Sequence, residues 1–377
     1  MGTYANDAAF LHQHGIGFQE LVSADGQSKV MVVPAWQGRV MTSSASGNEG
    51  DSYGWINYRF IAEGKVSPQI QPVGGEERFW LGPEGGPFSL YFKPGAEQVY
   101  ANWAVPSVLD TEAFEVDAQT DACIRLSKSA RLLNASGTTL DLGMQRAVTL
   151  MDREAAGRDL GVPVPEGVKL VGYRTDNRIT NIGLRAWTRD TGLVSVWMLG
   201  CFNPTPSTTV FIPYNRYAEG PVVNDTYFGR IPSDRLVVDD GLVYFRIDGR
   251  FRSKLGLPAG RALDLCGSYD SEQGVLTVLR YRRPGETCVY VNGQWGPQDN
   301  PFDGDVINAY NDGPLDDGSI MGPFYEIETS SPGAELAPGE SLTHTQQVIH
   351  LQGSDEALAP IVRGVFGADL DVIKNRF

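Results

Sequence analysis

A cation, an indole and a carboxylate lie close together in residues 74–86, GGEERFWLGPEGG. Arg78 and Trp80 are two positions apart, so on an extended strand their side chains point to the same face, and Glu84 follows in the adjoining turn. An indole can stack on the apolar face of a sugar ring, while a guanidinium donates hydrogen bonds to hydroxyls in a fixed geometry. We therefore predict that Arg78 and Trp80 bind a sugar and that Glu84 is a catalytic carboxylate. The alternative is a structural Arg–Glu pair beside a core tryptophan.

A second group of carboxylates lies near the other end of the chain, in residues 324–331, FYEIETSS. On a strand, Glu326 and Glu328 share one face. A neighbouring carboxylate raises the pKa of one of the two acids, which is what a general acid at neutral pH requires. We therefore predict that Glu326 and Glu328 are catalytic and that they meet Arg78 and Glu84 in one cleft of pyranose size. The alternative is a solvated strand face with one acid paired to an arginine.

Several other kinds of active site are not indicated. The chain has no GxxxxGK[ST], GxSxG or HExxH motif, and four histidines make a multi-histidine metal site hard to assemble. Residues 303–313 are rich in Asp and Asn, but Ile307 stands where an EF-hand would have its third oxygen ligand, so a turn-rich surface loop is expected there. We predict no metal and no cofactor. Carboxylates, amides, arginines and aromatic side chains must then carry any chemistry. Weaker candidates, each a polar group near a strand end, are Arg178, Lys254, Tyr269 and Asp270.

Charge and hydropathy exclude some classes of partner. The chain has 46 acidic and 31 basic residues, a formal net charge of −15 and no cluster of Lys and Arg. This balance argues against binding to nucleic acid or to an anionic membrane surface. No apolar run approaches the ~20 residues that a membrane-spanning helix needs. The four cysteines form no CxxC pair, so free thiols are favoured, and one disulfide stays open.

The pattern of turns and short apolar runs predicts an all-β fold. Gly (44) and Pro (23) are frequent and separate runs rich in Val, Ile, Thr, Tyr and Phe. Residues 193–200, LVSVWMLG, are almost continuously apolar, which is typical of a central strand covered on both faces. Residues 152–167 are predicted to be a linker or loop insertion. Because the composition does not shift along the chain, we predict a single domain, 1–377.

Helix signals are concentrated at the C-terminus. Ser354 precedes two acidic residues, a pattern typical of a helix N-terminus, and the helix is predicted to end near Gly364. A second short helix is predicted over 369–375. Residues 354–377 are therefore expected to form a C-terminal helical tail.

Taken together, the motifs resemble those of a known family. They are GGxxRxW at 74–80, PEG at 83–85, NxYNDG at 308–313, FYExExSSP at 324–332, LxPGES at 336–341 and His344. From about residue 15 to residue 353 the chain resembles uncharacterised galactose-mutarotase-like proteins of saccharide-degrading bacteria. The resemblance implies a β-supersandwich of two large, mostly antiparallel sheets stacked face to face. It also implies a sugar site on the concave face of the larger sheet.

The resemblance adds expectations about ligand and location. It implies a saccharide ligand and adds Asn308, Tyr310 and His344 to the predicted substrate-binding residues. His344 shares a strand face with His350, where a hydrogen-bonded structural histidine is the alternative. Export to the periplasm is the family habit, a cytoplasmic location stays open, and no oligomeric state is predicted.

The resemblance also has a clear departure. True aldose epimerases of this fold use a His acid and a Glu base, and their histidine comes from a strand in the middle of the chain. The comparable residues here, 187–203, contain no histidine, while Glu326 or Glu328 stands where the base would be. A glycoside hydrolase-like or epimerase-like enzyme with paired carboxylates is therefore predicted, and a non-catalytic carbohydrate-binding module of the same fold is the alternative.

Overall fold

Strands dominate the computed structural model, which describes residues 2–285, 288–315 and 317–377. In chain order the strands are Gln19–Val22 (β1), Lys29–Val33 (β2), Arg39–Ser44 (β3), Arg78–Gly82 (β4), Glu115–Gln119 (β5), Cys123–Leu133 (β6), Thr139–Met151 (β7), Lys169–Asn181 (β8), Ser195–Phe202 (β9), Thr208–Pro213 (β10), Leu236–Asp239 (β11), Leu242–Arg246 (β12), Ser253–Pro258 (β13), Leu265–Asp270 (β14), Val275–Tyr281 (β15), Asp305–Asn311 (β16), Tyr325–Ser330 (β17) and Ser341–Gln352 (β18). The all-β prediction is confirmed.

The strands form three antiparallel sheets. The largest has ten strands in the order β11-β12-β10-β14-β15-β18-β8-β7-β6-β5, and the second has five in the order β13-β16-β17-β9-β4. Strands β1, β2 and β3 form a third sheet, which contacts the start of β4 through a bridge between Val40 and Glu77. Strand β9, the central apolar run of the sequence, is buried at every position.

The helices are short and lie outside the sheets. They are Tyr4–Gln13 (α1), Tyr58–Glu63 (α2), Arg153–Leu160 (α3), Asp355–Phe366 (α4) and Leu370–Lys374 (α5), with short 3-10 turns at Pro34–Trp36, Gly47–Glu49, Tyr100–Asn102 and Ser107–Leu109. The predicted C-terminal helix is confirmed as α4, with Ser354 at its N-cap. The loop predicted at 152–167 is wrong in its first half, because the Asp152 side chain accepts from the Ala155 N–H at 2.7 Å and starts α3. None of the helices described is long and apolar enough to cross a membrane.

A buried polar network fixes the start of β4 between the two large sheets. Glu77 is fully buried and accepts from Arg146 Nη2 at 2.7 Å and from Gln346 Nε2 at 2.7 Å. Its neighbour Glu76 accepts from Ser43 Oγ at 2.8 Å. Buried charges are tolerated when they are paired and hydrogen-bonded. These bonds satisfy both oxygens of Glu77, whereas Glu76 is bonded through Oε1 and its Oε2 has no partner. The strand that follows, which begins at Arg78, is therefore held in one position.

Candidate functional site

Four strands of the five-stranded sheet bring the predicted residues to one face. In the register, Glu326 lies between Tyr310 on β16 and Cys201 on β9. Glu328 lies between Asn308 and Leu199. Strand β4 adds Arg78, paired with Leu199, and Trp80, paired with Trp197. Because cross-strand partners and alternate residues share a face, these side chains lie together. Thr329, on the opposite face, bonds to the ten-stranded sheet.

Arg78 and Glu326 form a half-buried ion pair on this face. Arg78 Nη2 lies 3.5 Å from Glu326 Oε1, and the guanidinium carbon is 3.9 Å from the Trp80 ring centroid. Burial raises the pKa of Glu326 to about 7, Arg78 acts to lower it, and the negative charge of Glu328 raises it further. The Cys201 thiol also donates to Glu326 Oε1 at 3.6 Å. Glu326 can therefore hold or release a proton near neutral pH.

Glu328 has a different set of contacts from Glu326. It is fully buried, and Lys254 Nζ lies 2.9 Å from Oε1 and 3.0 Å from Oε2. The Trp197 indole N–H donates to Oε2 at 2.8 Å. Burial acts to lower the pKa of Lys254, but the Glu328 charge outweighs it and leaves the pKa above its usual range. The pair is thus a fixed Lys⁺–Glu⁻ contact beside Glu326.

Glu84 reaches the same region from the turn after β4. Burial raises the pKa of Glu84 to about 6, Lys254 acts to lower it, and Glu328 raises it. The indole N–H groups of Trp295 and Trp103 approach the carboxyl and also lower its pKa, although Trp103 Nε1 makes no well-formed hydrogen bond. Two carboxyls with raised pKa values, Glu84 and Glu326, therefore flank the Lys254–Glu328 pair.

A small polar cavity of about 50 Å³ lies beside Glu84. It is lined by Gly82, Pro83, Glu84, Ser195, Trp197, Tyr227, Lys254, Val291, Gly293, Asp305, Asn308 and Ser330. Ligand pockets commonly measure about 300–1,000 Å³, so the predicted pyranose-sized cleft is not open in this structure. The cavity can hold only a small polar group or water.

Hydrogen bonds order one wall of the cavity. Tyr227 Oη donates to Asp305 Oδ2 at 2.5 Å, and Asn224 Nδ2 donates to the same oxygen at 3.2 Å. Asn308 Nδ2 donates to Tyr227 Oη at 3.3 Å. Burial raises the pKa of Asp305 above its usual range, and the Tyr227 and Asn224 donors act to lower it.

Sequence reasoning missed part of this group. Asp305 was expected in a surface loop, but it begins β16. The Asp/Asn composition hid a strand in which residues 306–309 are all buried. Tyr227 and Trp197 had no distinguishing signal, and Lys254, ranked as weaker, proves central because β13 pairs with β16.

The structure places four predicted features differently from what the sequence suggests. His344 does not join the group: it lies on β18 in the ten-stranded sheet, is buried, and its Nε2 is 2.8 Å from Thr329 Oγ1. Tyr310 shares the face, but it does not line the cavity, and its hydroxyl donates to Asp312 at 2.9 Å. The face belongs to the five-stranded sheet and not to the larger one. Trp80 is only 3% exposed, so its ring is covered by protein in this structure.

No metal centre is formed in residues 2–285, 288–315 and 317–377, where no three His, Cys, Asp or Glu side chains come together in a suitable group. All four cysteines are free.

Comparison with known proteins assigns the chain to a family. The chain belongs to the family described as "Family of unknown function (DUF6786)", which matches residues 2–377. Among curated proteins, none matches the chain by sequence.

Solved structures agree on the fold. A galactose mutarotase-like protein from Lactobacillus casei ATCC 334 is 11% identical with a TM-score of 0.51, covering 89% of this chain and 100% of its own. A protein from Synechocystis sp. PCC 6803 is 13% identical with a TM-score of 0.55, covering 90% of this chain and 96% of its own. The chain therefore has the galactose-mutarotase-like fold, as the sequence resemblance predicted.

Proposed function

We propose that this chain is a carbohydrate-active protein that binds a saccharide at the described face of the five-stranded sheet and transfers protons through Glu326 and Glu84. One observation carries the proposal: two carboxyls with pKa values raised to about 7 and about 6 accompany a fixed Lys254–Glu328 pair. Between those pH values one carboxyl is protonated and the other ionised. This is the state that acid–base catalysis at an anomeric centre needs.

The roles follow from the contacts. The protonated carboxyl donates to the ring oxygen or to the leaving oxygen, and the ionised one accepts from the anomeric hydroxyl or from water. Glu328 is held by Lys254 and Trp197 and acts as a fixed negative charge that raises the pKa of both neighbours. Arg78, which lies beside Glu326, orients sugar hydroxyls.

Binding of a pyranose requires the cavity to enlarge. The turn containing Glu84 and the segment that begins at Gly293 both line the cavity. A backbone contact joins the same two segments, because a Cβ added to Gly85 would lie 2.2 Å from the Gln294 carbonyl oxygen. These segments must separate to admit a ring.

The test is a saccharide screen read out by NMR exchange between anomers and by chromatography of hydrolysis products. Wild type is compared with Glu326→Gln and Glu84→Gln, and with Glu335→Gln as a control on an exposed ion pair. We expect each site variant to lose about 10²–10⁴-fold in rate, while the control keeps the wild-type rate. Equal turnover in wild type and both site variants would refute the assignment.

A non-catalytic binding module is the second candidate. It is favoured by the two closed ion pairs, Arg78–Glu326 and Lys254–Glu328, which engage two of the three predicted catalytic acids. Thermal shifts with saccharides, without turnover in either assay, would select this candidate.

A further inference from the structure

A second, larger cleft lies next to the site. Its volume is about 650 Å³, and it is lined by Gly86–Pro87, Ala96–Gln98 and Gly296–Gln298. The small cavity is lined by Glu84 and Gly293 from the same two parts of the chain. Gln98 holds these segments together, since its Oε1 accepts from the Gly86 N–H at 2.9 Å and from the Gly296 N–H at 2.7 Å.

Aromatic rings connect the outside of the protein to Glu84. Tyr100 is 61% exposed and stacks on Trp103 with ring centroids 6.0 Å apart and an interplanar angle of 20°. Trp103 stacks in turn on Trp295 at 6.1 Å, and Trp295 is 38% exposed. The indole N–H groups of both tryptophans approach Glu84.

Unsatisfied polar atoms accompany these rings. Trp103 is only 7% exposed, and its buried Nε1 has no well-formed hydrogen bond. Gln298 lines the larger cleft, and its buried Oε1 has no partner. Such atoms are uncommon in folded proteins, and a hydroxyl-bearing ligand supplies both donors and acceptors.

The charge of the larger cleft narrows the ligand class. Glu97 is the one charged side chain among its described lining residues, so a phosphorylated or otherwise anionic ligand would find no cation there. Tyr100 and Trp295 do not line the cleft, but they lie within two residues of its lining residues Gln98 and Gly296. Exposed aromatic faces beside neutral amides suit a neutral ligand that has both apolar faces and hydroxyls.

We propose that this cleft is a second sugar-binding subsite and that the ligand is an oligosaccharide, with its terminal residue beside Glu84 and the following residues beside Tyr100 and Trp295. The inference rests on the proposed function. It adds the substrate class, an oligomer in place of a single sugar.

The experiment is calorimetric titration of the full chain with D-glucose, D-galactose, maltotetraose, cellotetraose and β-1,4-galactotetraose. We expect at least one tetrasaccharide to bind more tightly than its monosaccharide. Tyr100→Ala is expected to weaken that tetrasaccharide about 2–12-fold more than the monosaccharide, by loss of one stacking partner. Tyr100→Phe, which keeps the ring, is expected to retain the preference.

The control is Tyr217→Ala, which removes another exposed tyrosine, 96% exposed against 61% for Tyr100, from a turn after β10 and is expected to change neither affinity. Thermal unfolding of each variant shows that it is folded. If monosaccharides bind as tightly as every tetrasaccharide, or if Tyr100→Ala has no selective effect, the second subsite is refuted and the proposed function stands. If none of the five sugars binds, both fail.

Discussion

Arg78 Nη2 lies 3.5 Å from Glu326 Oε1, and this contact joins the two segments that the sequence marks as chemically unusual. The two residues are on different strands, β4 and β17, with β9 between them. Arg78 therefore reaches across β9 to Glu326, and its guanidinium carbon lies 3.9 Å from the Trp80 ring centroid. Burial raises the pKa of Glu326 to about 7, and the Arg78 charge acts against that rise.

Removal of the Arg78 charge should raise the Glu326 pKa further. In Arg78→Met the aliphatic stem still covers Trp80, but the cation that favours the ionised carboxylate is lost. We expect the pKa to move above 7 by roughly 1–3 units, the usual effect of one close opposite charge. The measurement is a ¹³C NMR titration of the glutamate carboxyls. The control Arg131→Met, which breaks an exposed pair with Asp141, should leave the Glu326 pKa unchanged. An unchanged Glu326 pKa in Arg78→Met would show that the Arg78 charge does not act on this carboxyl.

Catalytic rate should be highest between about pH 6 and pH 7. The pKa of Glu84 is raised to about 6 and that of Glu326 to about 7. Below the lower value both carboxyls are protonated, and above the higher value both are ionised. Only the interval between them has one acid and one base. The check is kcat/KM from pH 4.5 to pH 9 on the best substrate of the screen, and a rate that rises steadily to pH 9 would be inconsistent with this pair.

Local strand periodicity in the sequence predicts some parts of this site. Glu326 and Glu328 alternate with Tyr325 and Ile327, so a shared face for the two acids follows from strand geometry alone. The apolar run around Trp197 likewise predicts a buried central strand.

The rest depends on which strand pairs with which. The ion partner of Glu328 is Lys254, and it becomes a neighbour only because β13 joins β16 and β16 joins β17. Periodicity placed His344 and His350 on one strand face, but it cannot say which sheet contains that strand. Strand β18 joins the ten-stranded sheet, so His344 points to the interior, away from Glu326.

Loss of Lys254 alone should destabilise the fold strongly. Glu328 is fully buried and Lys254 is its cation at 2.9 Å. Lys254→Met would leave an unpaired buried charge, which costs about 3–5 kcal/mol in free energy of unfolding. Urea unfolding at pH 7.5 measures this loss.

The double variant Lys254→Met/Glu328→Gln separates the lost charge from lost packing. The amide oxygen introduced at position 328 still accepts from the Trp197 N–H, and no charge is buried. Most of the stability lost in Lys254→Met should therefore return. Lys128→Met, at a more exposed pair with Glu112, should cost less than about 1 kcal/mol. A double variant as unstable as Lys254→Met would show that packing of the lysine stem matters more than its charge.

His344 should make the fold sensitive to acid. Its ring is 1% exposed, Nε2 lies 2.8 Å from Thr329 Oγ1, and Nδ1 has no partner. Burial lowers its pKa from 6.5 to about 4. The unfolded chain therefore binds the proton first as pH falls. The stability that neutral His344 contributes is fully present above about pH 6.5 and is lost progressively towards pH 4, by roughly 3 kcal/mol in total.

Urea unfolding of wild type and His344→Gln at pH 7, 5.5 and 4 should show a shallower pH dependence in the variant. His12→Gln, on the exposed side of α1, should keep the wild-type dependence, and identical slopes for all three proteins would exclude His344 as the source.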